Sequence, residues 1–443
     1  MQFNSIEFLF SFLPLFLAVY LIVPVKFRSG VLLIGSLGYY ALASNGNYWW
    51  VAILGAITLF AYFAGFTLGK PGSKKLLAFY LAVLTAILTF FKLYQGGRYL
   101  PAGMSFYLFQ IAAYLIDLQR QKYYHEKNLV AFGTQIAMFP KLLSGPLLEP
   151  RKLQLENKFA TVDHAHLRDG MHFLVLGLGM KVLIANRMGG LWSEAAVVGY
   201  EFISVPFAWM ALVAYAMQLY FDFYGYSLMA IGLGKMLGYD LPRNFDSPYA
   251  SKSVSEFYRR WHMTLGAWFR EYLYIPLGGN RKGTSRTIFN LLVVWVITGL
   301  WHGVGGNYLL WALFLFLLIV NERLWLGKLL KKSRVISHAY LVFVILLSWV
   351  PFAVGDWGQM VCFLGRLFGL TGSAMNPQDF MTSAAGYEGW MMAGVILATP
   401  WPRNLWEKMK NHWIADVLIL ILFWIVVYFV ASAAQDPFLY FQY

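Results

Sequence analysis

Residues 253–303 combine charged side chains and two histidines within a chain that is otherwise strongly apolar. His262 lies in a run of arginines and aromatic residues, whereas His302 lies between Trp301 and Gly303. An imidazole can accept or donate a proton near neutral pH. A polar group inside a membrane is costly unless it is hydrogen-bonded or used in function. These two histidines are therefore the first candidates for proton-transfer chemistry.

The elements that would position these histidines are two helices joined by a turn. Aromatic and apolar residues share one face of the stretch 256–270 at about 100° per residue, namely Phe257, Trp261, Leu265 and Trp268. This pattern predicts an amphipathic helix at or within the membrane interface. A turn at 276–283 ends this helix, and an apolar helix that begins at Ile288 carries His302 near its end.

The composition predicts an all-α, polytopic membrane protein. Of the 443 residues, 59% are hydrophobic and 13% are charged, and the mean hydropathy of +0.56 is far above the usage of soluble globular proteins. The net charge is +14. In such a chain, Lys and Arg mark cytoplasmic loops and contacts with anionic lipids, so we expect membrane lipids and no nucleic acid as partners. A single cysteine, Cys362, excludes an intramolecular disulfide and a thiolate-based metal cluster.

The apolar runs predict about 11 or 12 transmembrane helices, together with re-entrant and interfacial helices. The runs are 6–23, 31–43, 48–68, 76–91, 101–118, 171–192, 204–221, 226–237, 288–301, 309–326, 340–354, 390–399 and 414–432. The first run lacks the basic start and the cleavage site of a signal peptide, so we expect it to be retained. Pro140, Gly145 and Pro146 break the run 129–148, which favours a re-entrant hairpin. Basic residues follow alternate spans, which predicts that both termini lie outside.

A family resemblance rests on the stretch SEFYRRWHMTLGAWFREYLYIPLGGNRKG followed by NLLVVWVITGLWHG. It resembles the signature of the membrane-bound O-acyltransferase family, and its YLYIPLGGNRKG part is similar to the bacterial alginate and peptidoglycan O-acetyltransferase branch. Further segments resemble the family at LPAGMSFYLFQIAAYLIDLQRQ, FPKLLSGPLLEP, YFDFYGYSLMAIGLGKMLGYDLPRNFDSPYASKS and PFLYFQY. Tyr258, where Trp is common, and the stretch beginning at Met263 depart mildly from the pattern. We therefore predict one membrane-embedded domain over 1–443, with its signature core at about 95–310 and C-terminal helices and tail at 336–443.

The resemblance implies that His302 is the catalytic histidine and His262 the second family histidine. Acyl transfer needs a base that deprotonates a hydroxyl as it attacks a thioester, and an imidazole suits this role. The alternative for His302 is a structural histidine bonded to a backbone carbonyl. The alternative for His262, which stands beside Arg259 and Arg260, is that it faces lipid headgroups or positions its helix.

Other polar residues are candidates for support. Asn290 and Asn307 are amide donors that could stabilise an oxyanion, and Trp301 could shape the site. Asp222 could orient a histidine or bond to a re-entrant turn. Three further histidines, His164, His166 and His172, lack carboxylate or thiolate support at ligand spacing, so we expect no metal site and no bound cofactor.

A group of basic residues could hold the phosphates of an acyl donor, which the resemblance implies is acetyl-CoA. The group comprises Arg259, Arg260, Arg270, Arg281 and Lys282. Guanidinium groups suit phosphate oxygens. The alternative is that these residues contact lipid phosphates on the cytoplasmic face.

The C-terminal stretch 437–443 supports a more specific hypothesis. Tyr440 or Tyr443 could carry the acyl group as an ester and relay it to a partner, since a tyrosine hydroxyl can form such an intermediate. The alternative is an aromatic belt that anchors the last helix. By resemblance, a separate periplasmic or cell-surface acetyltransferase would complete delivery to a polysaccharide acceptor outside a bacterial cytoplasmic membrane.

Two other functions stay open at this point. Within the family, teichoic-acid D-alanyl transfer uses a carrier-protein thioester as the donor, although the YIPLGGNRKG turn favours acetylation. Outside the family, the histidines could form the proton relay of a transporter for a polar or lipid-linked substrate. The absence of an inverted repeat, and the concentration of polar residues on one basic face, argue against transport.

Overall fold

The computed structural model describes residues 1–68, 73–122, 124–148, 162–372 and 377–432. Within these ranges the chain forms helices and no strand, which confirms the all-α prediction. The α-helices are α1 (Leu13–Ile22), α2 (Val25–Ala43), α3 (Trp49–Leu68), α4 (Lys74–Leu93), α5 (Met104–Gln119), α6 (Leu129–Ala137), α7 (Phe139–Leu142), α8 (His164–Gly179), α9 (Asn186–Val198), α10 (Val205–Met236), α11 (Val254–Arg260), α12 (Met263–Phe269), α13 (Thr284–His302), α14 (Gly306–Asn321), α15 (Gly327–Leu330), α16 (Arg334–Ala353), α17 (Trp357–Leu367), α18 (Asp379–Ala384), α19 (Glu388–Ala398), α20 (Pro400–Met409) and α21 (Trp413–Ser432).

Some of these helices continue directly into π-helical segments, in which the backbone is wound more widely. The segments are Phe8–Phe12, Met180–Ala185, Arg270–Tyr274 and Glu322–Leu326. Two of them contain a buried charged residue, Lys181 and Glu322.

Seven helical stretches in the described part of the chain are long and apolar enough to cross a membrane, so the polytopic prediction is confirmed. They are Trp49–Leu68, Lys74–Gly97, His164–Val198, Thr284–His302, Gly306–Leu330, Arg334–Ala353 and Trp413–Ser432. The other predicted runs form shorter or more polar helices, such as Phe8–Ile22 and Glu388–Ala398. The runs 204–221 and 226–237, which we predicted as two helices, form the single helix α10.

The run predicted to be re-entrant is broken. Met138 has φ −56° and ψ 120° and separates α6 from the short α7. Pro140 lies in the first turn of α7, where its missing N–H costs least. The Oδ1 atom of Asn128 caps the start of α6 by accepting the N–H groups of Val130 and Ala131 at 2.9 and 3.1 Å. Lys141 in α7 is buried, and its ammonium donates to the Gln110 side chain.

The chain divides into two compact units. The first contains Met1–Leu178 and Tyr226–Arg243, and the second contains Gly179–Gly225 and Asn244–Val426. Both His262 and the helix that ends at His302 belong to the second unit, so the candidate site is described within that unit. The single-domain organisation proposed above stays a prediction.

Close packing of α13 against α14 depends on glycine in the second unit. A Cβ atom at Gly299 would lie 2.9 Å from Ala312 Cβ and 3.0 Å from the Tyr308 carbonyl oxygen. A Cβ atom at Gly303 would lie 2.3 Å from the Tyr308 ring. These approaches bring the end of α13, and with it His302, directly against the start of α14. Helix α14 in turn packs against α11 and α16.

Candidate active site

His262 joins α11 to α12 in an uncommon backbone conformation. Its φ of 45° and ψ of 53° lie in the left-handed region, which residues other than glycine seldom adopt and which is often found at functional sites. The preceding Trp261 is extended. The resulting sharp turn buries the imidazole, which is only 4% exposed, instead of directing it toward lipid headgroups. The headgroup alternative for His262 is therefore wrong.

Asn244 determines the proton arrangement of His262. Its Oδ1 atom accepts hydrogen bonds from Thr264 Oγ1 and Thr264 N at 2.9 and 3.3 Å, which fixes the orientation of the amide. The same oxygen lies 3.0 Å from His262 Nδ1, so Nδ1 must be the protonated ring nitrogen. Burial lowers the pKa of His262 and keeps the ring neutral. The Nε2 atom of a neutral ring protonated at Nδ1 carries a lone pair and can accept a proton or a hydrogen bond.

His302 occupies the last turn of α13 and is half-buried among aromatic rings. Its ring centroid lies 4.6 Å from that of Trp301, 4.9 Å from Trp311 and 5.1 Å from Phe352. Trp301 is itself buried. These neighbours limit the rotation of the imidazole and exclude bulk water from one side of it, as a catalytic base in a membrane enzyme requires.

An aromatic cluster, formed by Trp261, Trp311, Trp349 and Phe352, connects the two histidine-bearing segments. Trp349 lies 5.3 Å from Trp261 and 5.7 Å from Phe352, measured between ring centroids. Trp261 precedes His262, and Phe352 and Trp311 contact His302. The structure therefore brings Trp261, the residue before His262, to the aromatic cluster that contacts His302, whereas the His262 ring itself lies 4.6 Å from the ring of Phe223.

A cavity of about 830 Å³ lies beside this cluster and is within the usual range for ligand pockets. Its walls come from α11, α13, α14, the π-helical segment Glu322–Leu326, α15 and α16. The basic side chains that line it are Lys252, Arg259, Arg323, Lys331 and Arg334. Trp295 in its wall lies 4.9 Å from Tyr258 and 5.9 Å from Trp311, and Trp311 contacts His302. Aromatic side chains thus connect a basic cavity to the candidate catalytic histidine.

The two carboxylates that line the cavity are already hydrogen-bonded to the protein. Glu256 accepts from Arg260 at 2.7 Å and from the Lys252 N–H at 3.0 Å. Glu322 accepts from the start of α11, as described below. Five basic side chains against two engaged carboxylates leave the cavity positively charged, which suits a polyanionic ligand.

The structure places only one of the five predicted phosphate-binding residues in the cavity wall. Arg259 lines the cavity, whereas Arg260 pairs with Glu256. The other three, Arg270, Arg281 and Lys282, are exposed and are not among the residues that line this cavity. The basic residues of 323–334 stand at and just after the end of the apolar run 309–326, and nothing local in the sequence indicates which loops share a cavity.

The two asparagines proposed as oxyanion donors support the backbone. Asn290 donates to the Gly279 carbonyl oxygen at 3.0 Å and lies about 18 Å along α13 from His302. This separation is incompatible with a role at the His302 ring. Asn307 lies closer in sequence, but its amide donates to the Pro351 carbonyl oxygen at 3.0 Å near the end of α16.

Asp222 forms a buried ion pair that the sequence did not predict. Its Oδ1 atom lies 2.5 Å from Lys181 Nζ, and both side chains are 3% exposed. Lys181 lies in the π-helical segment Met180–Ala185. A lysine inside the apolar run 171–192 is the sequence feature that could have indicated a buried ion pair. A lone cation there requires a buried partner.

The remaining predictions concern metals and the tail. His166 pairs with Asp163 at 2.7 Å, and His172 is buried. In the described ranges no group of three histidine, cysteine or carboxylate residues is placed to hold a metal ion. Tyr440 and Tyr443 lie outside the described residues, so the relay hypothesis stays a prediction.

Comparison with known proteins identifies the family of the chain. Residues 71–344 match the family model described as the membrane-bound O-acyltransferase family. A probable alginate O-acetylase of Pseudomonas putida is 32% identical over 100% of both chains. A second, from Pseudomonas fluorescens, is 34% identical over 83% of this chain and 75% of its own length. A peptidoglycan O-acetyltransferase of Helicobacter pylori is 26% identical over 100% of this chain and 97% of its own. The family resemblance predicted from the signature is thereby confirmed, and this chain belongs to the membrane-bound O-acyltransferase family as a multi-pass membrane enzyme.

Proposed function

We propose that this enzyme takes an acetyl group from cytoplasmic acetyl-CoA and passes it across the membrane for O-acetylation of an extracytoplasmic polysaccharide. The observation that carries the proposal is the basic cavity whose aromatic wall leads to His302. Coenzyme A presents several phosphate charges at one end and a thioester at the end of a flexible arm. The basic walls of the cavity match the phosphate end, and the aromatic side chains that lead to the His302 imidazole match the thioester end.

In this proposal the basic side chains bind the phosphates. Arg259, Arg323 and Arg334 line the cavity and can form paired hydrogen bonds to phosphate oxygens. Lys252 and Lys331 add charge without a fixed direction. Tyr258 and Trp295 then guide the arm of the donor toward Trp311 and His302.

The chemical step follows from the position of His302. As an acceptor hydroxyl approaches, the imidazole removes its proton while the oxygen forms a bond to the thioester carbon. The carbon–sulfur bond then breaks, and the proton returns to the departing thiolate, so the products are an acetyl ester and free coenzyme A. His262, neutral and fixed by Asn244, would act as a hydrogen-bond acceptor near the aromatic cluster and would not carry charge.

The acceptor and the partner are inferred from the relatives and from the charge pattern. The names of those relatives refer to alginate and peptidoglycan, so a polysaccharide is the proposed acceptor class. Both termini would lie outside a bacterial cytoplasmic membrane. A separate periplasmic or cell-surface acetyltransferase would receive the acetyl group, with Tyr440 or Tyr443 as the proposed ester carrier.

The test is release of free coenzyme A from acetyl-CoA by the purified protein in lipid nanodiscs. We expect wild type to release coenzyme A and His302→Ala to lose at least about 100-fold of the rate, as removal of a general base typically does. Thermal unfolding of the variant should match wild type. Turnover only with a carrier-protein thioester would favour D-alanyl-type transfer instead. Failure with both donors, with acceptor and partner supplied, would favour a transporter.

A further inference from the structure

Glu322 is a buried carboxylate in the wall of the cavity. It begins the π-helical segment that follows α14 and is 8% exposed. Its Oε1 atom accepts the Val254 N–H at 2.6 Å, and its Oε2 atom accepts the N–H and the hydroxyl of Ser255 at 3.1 and 3.0 Å. One side chain thus connects the end of α14 to the start of α11.

These hydrogen bonds complete the N-terminus of α11. The Ser253 hydroxyl accepts the Glu256 N–H at 3.1 Å, and the Ser253 carbonyl oxygen accepts the Phe257 N–H at 2.9 Å. Together with Glu322, they engage the backbone N–H groups of residues 254–257. These four donors are therefore not available to a ligand, and we expect the basic side chains to bind phosphates in the cavity.

The opposite end of α11 is held by a separate set of contacts. The Asp246 N–H donates to the Arg260 carbonyl oxygen at 3.0 Å. Asn244 accepts from Met263 N at 2.9 Å through its backbone oxygen and contacts His262 and Thr264 through its side chain. Loss of Glu322 should therefore loosen the first turn of α11 and leave the His262 end in place.

The first turn and its approach form one wall of the cavity. Lys252 and Ser255 lie in this part of the chain, and Lys252 supplies one of the five cavity cations. Arg259 lies in the last turn of α11, at the end that stays in place. We propose that Glu322 is a positioning residue for donor binding. It holds the first turn of α11 so that Lys252 faces the donor, and it takes no part in the chemical step at His302. This inference rests on the proposed function, because the ligand is the phosphorylated acyl donor.

The experiment is a steady-state comparison of wild type, Glu322→Ala and Glu322→Gln in lipid nanodiscs, with coenzyme A release measured against acetyl-CoA concentration. In Glu322→Ala we expect the KM for acetyl-CoA to rise about tenfold, while kcat stays within about threefold, because only donor alignment is lost. In Glu322→Gln the KM should be intermediate, since the amide oxygen keeps one acceptor for the start of α11.

Asp379 provides a matched control in the same unit. It is also a buried carboxylate that bridges two elements, since its Oδ2 atom accepts the Ser204 N–H at 2.7 Å, but it does not line the cavity. Asp379→Ala should lower thermal stability and leave the KM for acetyl-CoA unchanged. Equal effects of Glu322→Ala and Asp379→Ala on KM would overturn the proposal.

Other outcomes distinguish a failure of the positioning role of Glu322 from a failure of the acetyl-CoA proposal. If Glu322→Ala does not fold, a KM of Glu322→Gln equal to that of wild type overturns the positioning role. A Glu322 variant with a lower kcat and an unchanged KM for acetyl-CoA also overturns the positioning role. If wild type uses only a carrier-protein thioester, the acetyl-CoA proposal fails, and the same comparison of KM with that thioester still tests Glu322.

Discussion

At the scale of single residues, Asn244 and His262 form the best-defined polar group of the site. One oxygen atom of Asn244 accepts from Thr264 and faces His262, and this arrangement fixes both the amide orientation and the tautomer of the imidazole. Burial disfavours the charged ring and lowers its pKa. The contribution of this group to folding stability is therefore complete above about pH 6.5 and is lost as the pH falls toward the lowered pKa.

Asn244→Asp should make the activity sensitive to acid. The new carboxylate keeps an acceptor for His262 and Thr264, but it favours the imidazolium form and raises the pKa of His262. In wild type the His262 ring stays neutral through pH 6–8, so its titration does not lower the rate in that pH range. In the variant we expect the rate to fall by about tenfold between pH 8 and pH 6, measured as coenzyme A release. Because protonation of His302 affects both proteins, the two pH profiles are compared with each other. A profile of Asn244→Asp identical to that of wild type would contradict the assignment of a neutral His262.

At the scale of elements, the site depends on how tightly α13 and α14 pack. Gly299 lies one turn before His302, and a Cβ atom there would press against Ala312 and the Tyr308 backbone. A few tenths of an ångström of separation at this point would move the His302 ring relative to Trp311 and Phe352. Alignment of a base with its substrate is sensitive to displacements of this size.

Gly299→Ala should consequently lower kcat by about tenfold, even though alanine favours a helix over glycine. Gly55→Ala is a suitable control, because Gly55 also lies within a helix and a Cβ atom there meets nothing within 4 Å. The control should keep full activity and equal or higher thermal stability. Coenzyme A release and thermal unfolding of both variants in lipid nanodiscs check this. Full activity of Gly299→Ala would show that the close approach does not position His302.

The Lys181–Asp222 pair illustrates a different constraint between elements. It joins the π-helical segment Met180–Ala185 to α10 with both charges out of water. Removal of one partner from such a pair leaves an uncompensated buried charge, whereas removal of both is better tolerated. The pair therefore fixes the relation of these two helices within the second unit.

At the scale of the whole molecule, the proposed function requires the cavity and the acceptor side to face opposite compartments. The charge pattern predicts that the basic segments at 235–286 and 323–334 face the cytoplasm. It predicts that α17, which carries Cys362, faces outward. Since Cys362 is the only cysteine, the natural chain has a single thiol whose labelling reports the side of the membrane on which α17 lies.

In intact spheroplasts, we expect a membrane-impermeant maleimide to label Cys362 in the wild-type chain. Burial raises the pKa of this thiol, so labelling should be carried out at about pH 8, where the thiolate population is larger. The matched variant is Cys362→Ser combined with Lys332→Cys, because Lys332 is exposed in the turn before α16. This variant should be labelled only after permeabilisation. Labelling of both positions from the same side would contradict the predicted topology.

The sequence by itself determined the helical membrane class and the family, because hydropathy and a continuous signature are local properties. It also singled out His262 and His302 as candidates, whose roles stay predictions. It also located the break in the run 129–148. The spacing along one helix also separates Asn290 from His302.

Only the tertiary structure decided which charges act together. Glu322 and Val254 are separated by 68 residues, yet they share a hydrogen bond. The cavity joins Arg259 to Arg323 and Arg334 from other helices, while Arg270 and Lys282, which are nearer to Arg259 in sequence, lie outside it. Periodicity predicts the face of a helix on which a residue lies, but not the helix that this face meets. The partners of buried charges depend on that packing.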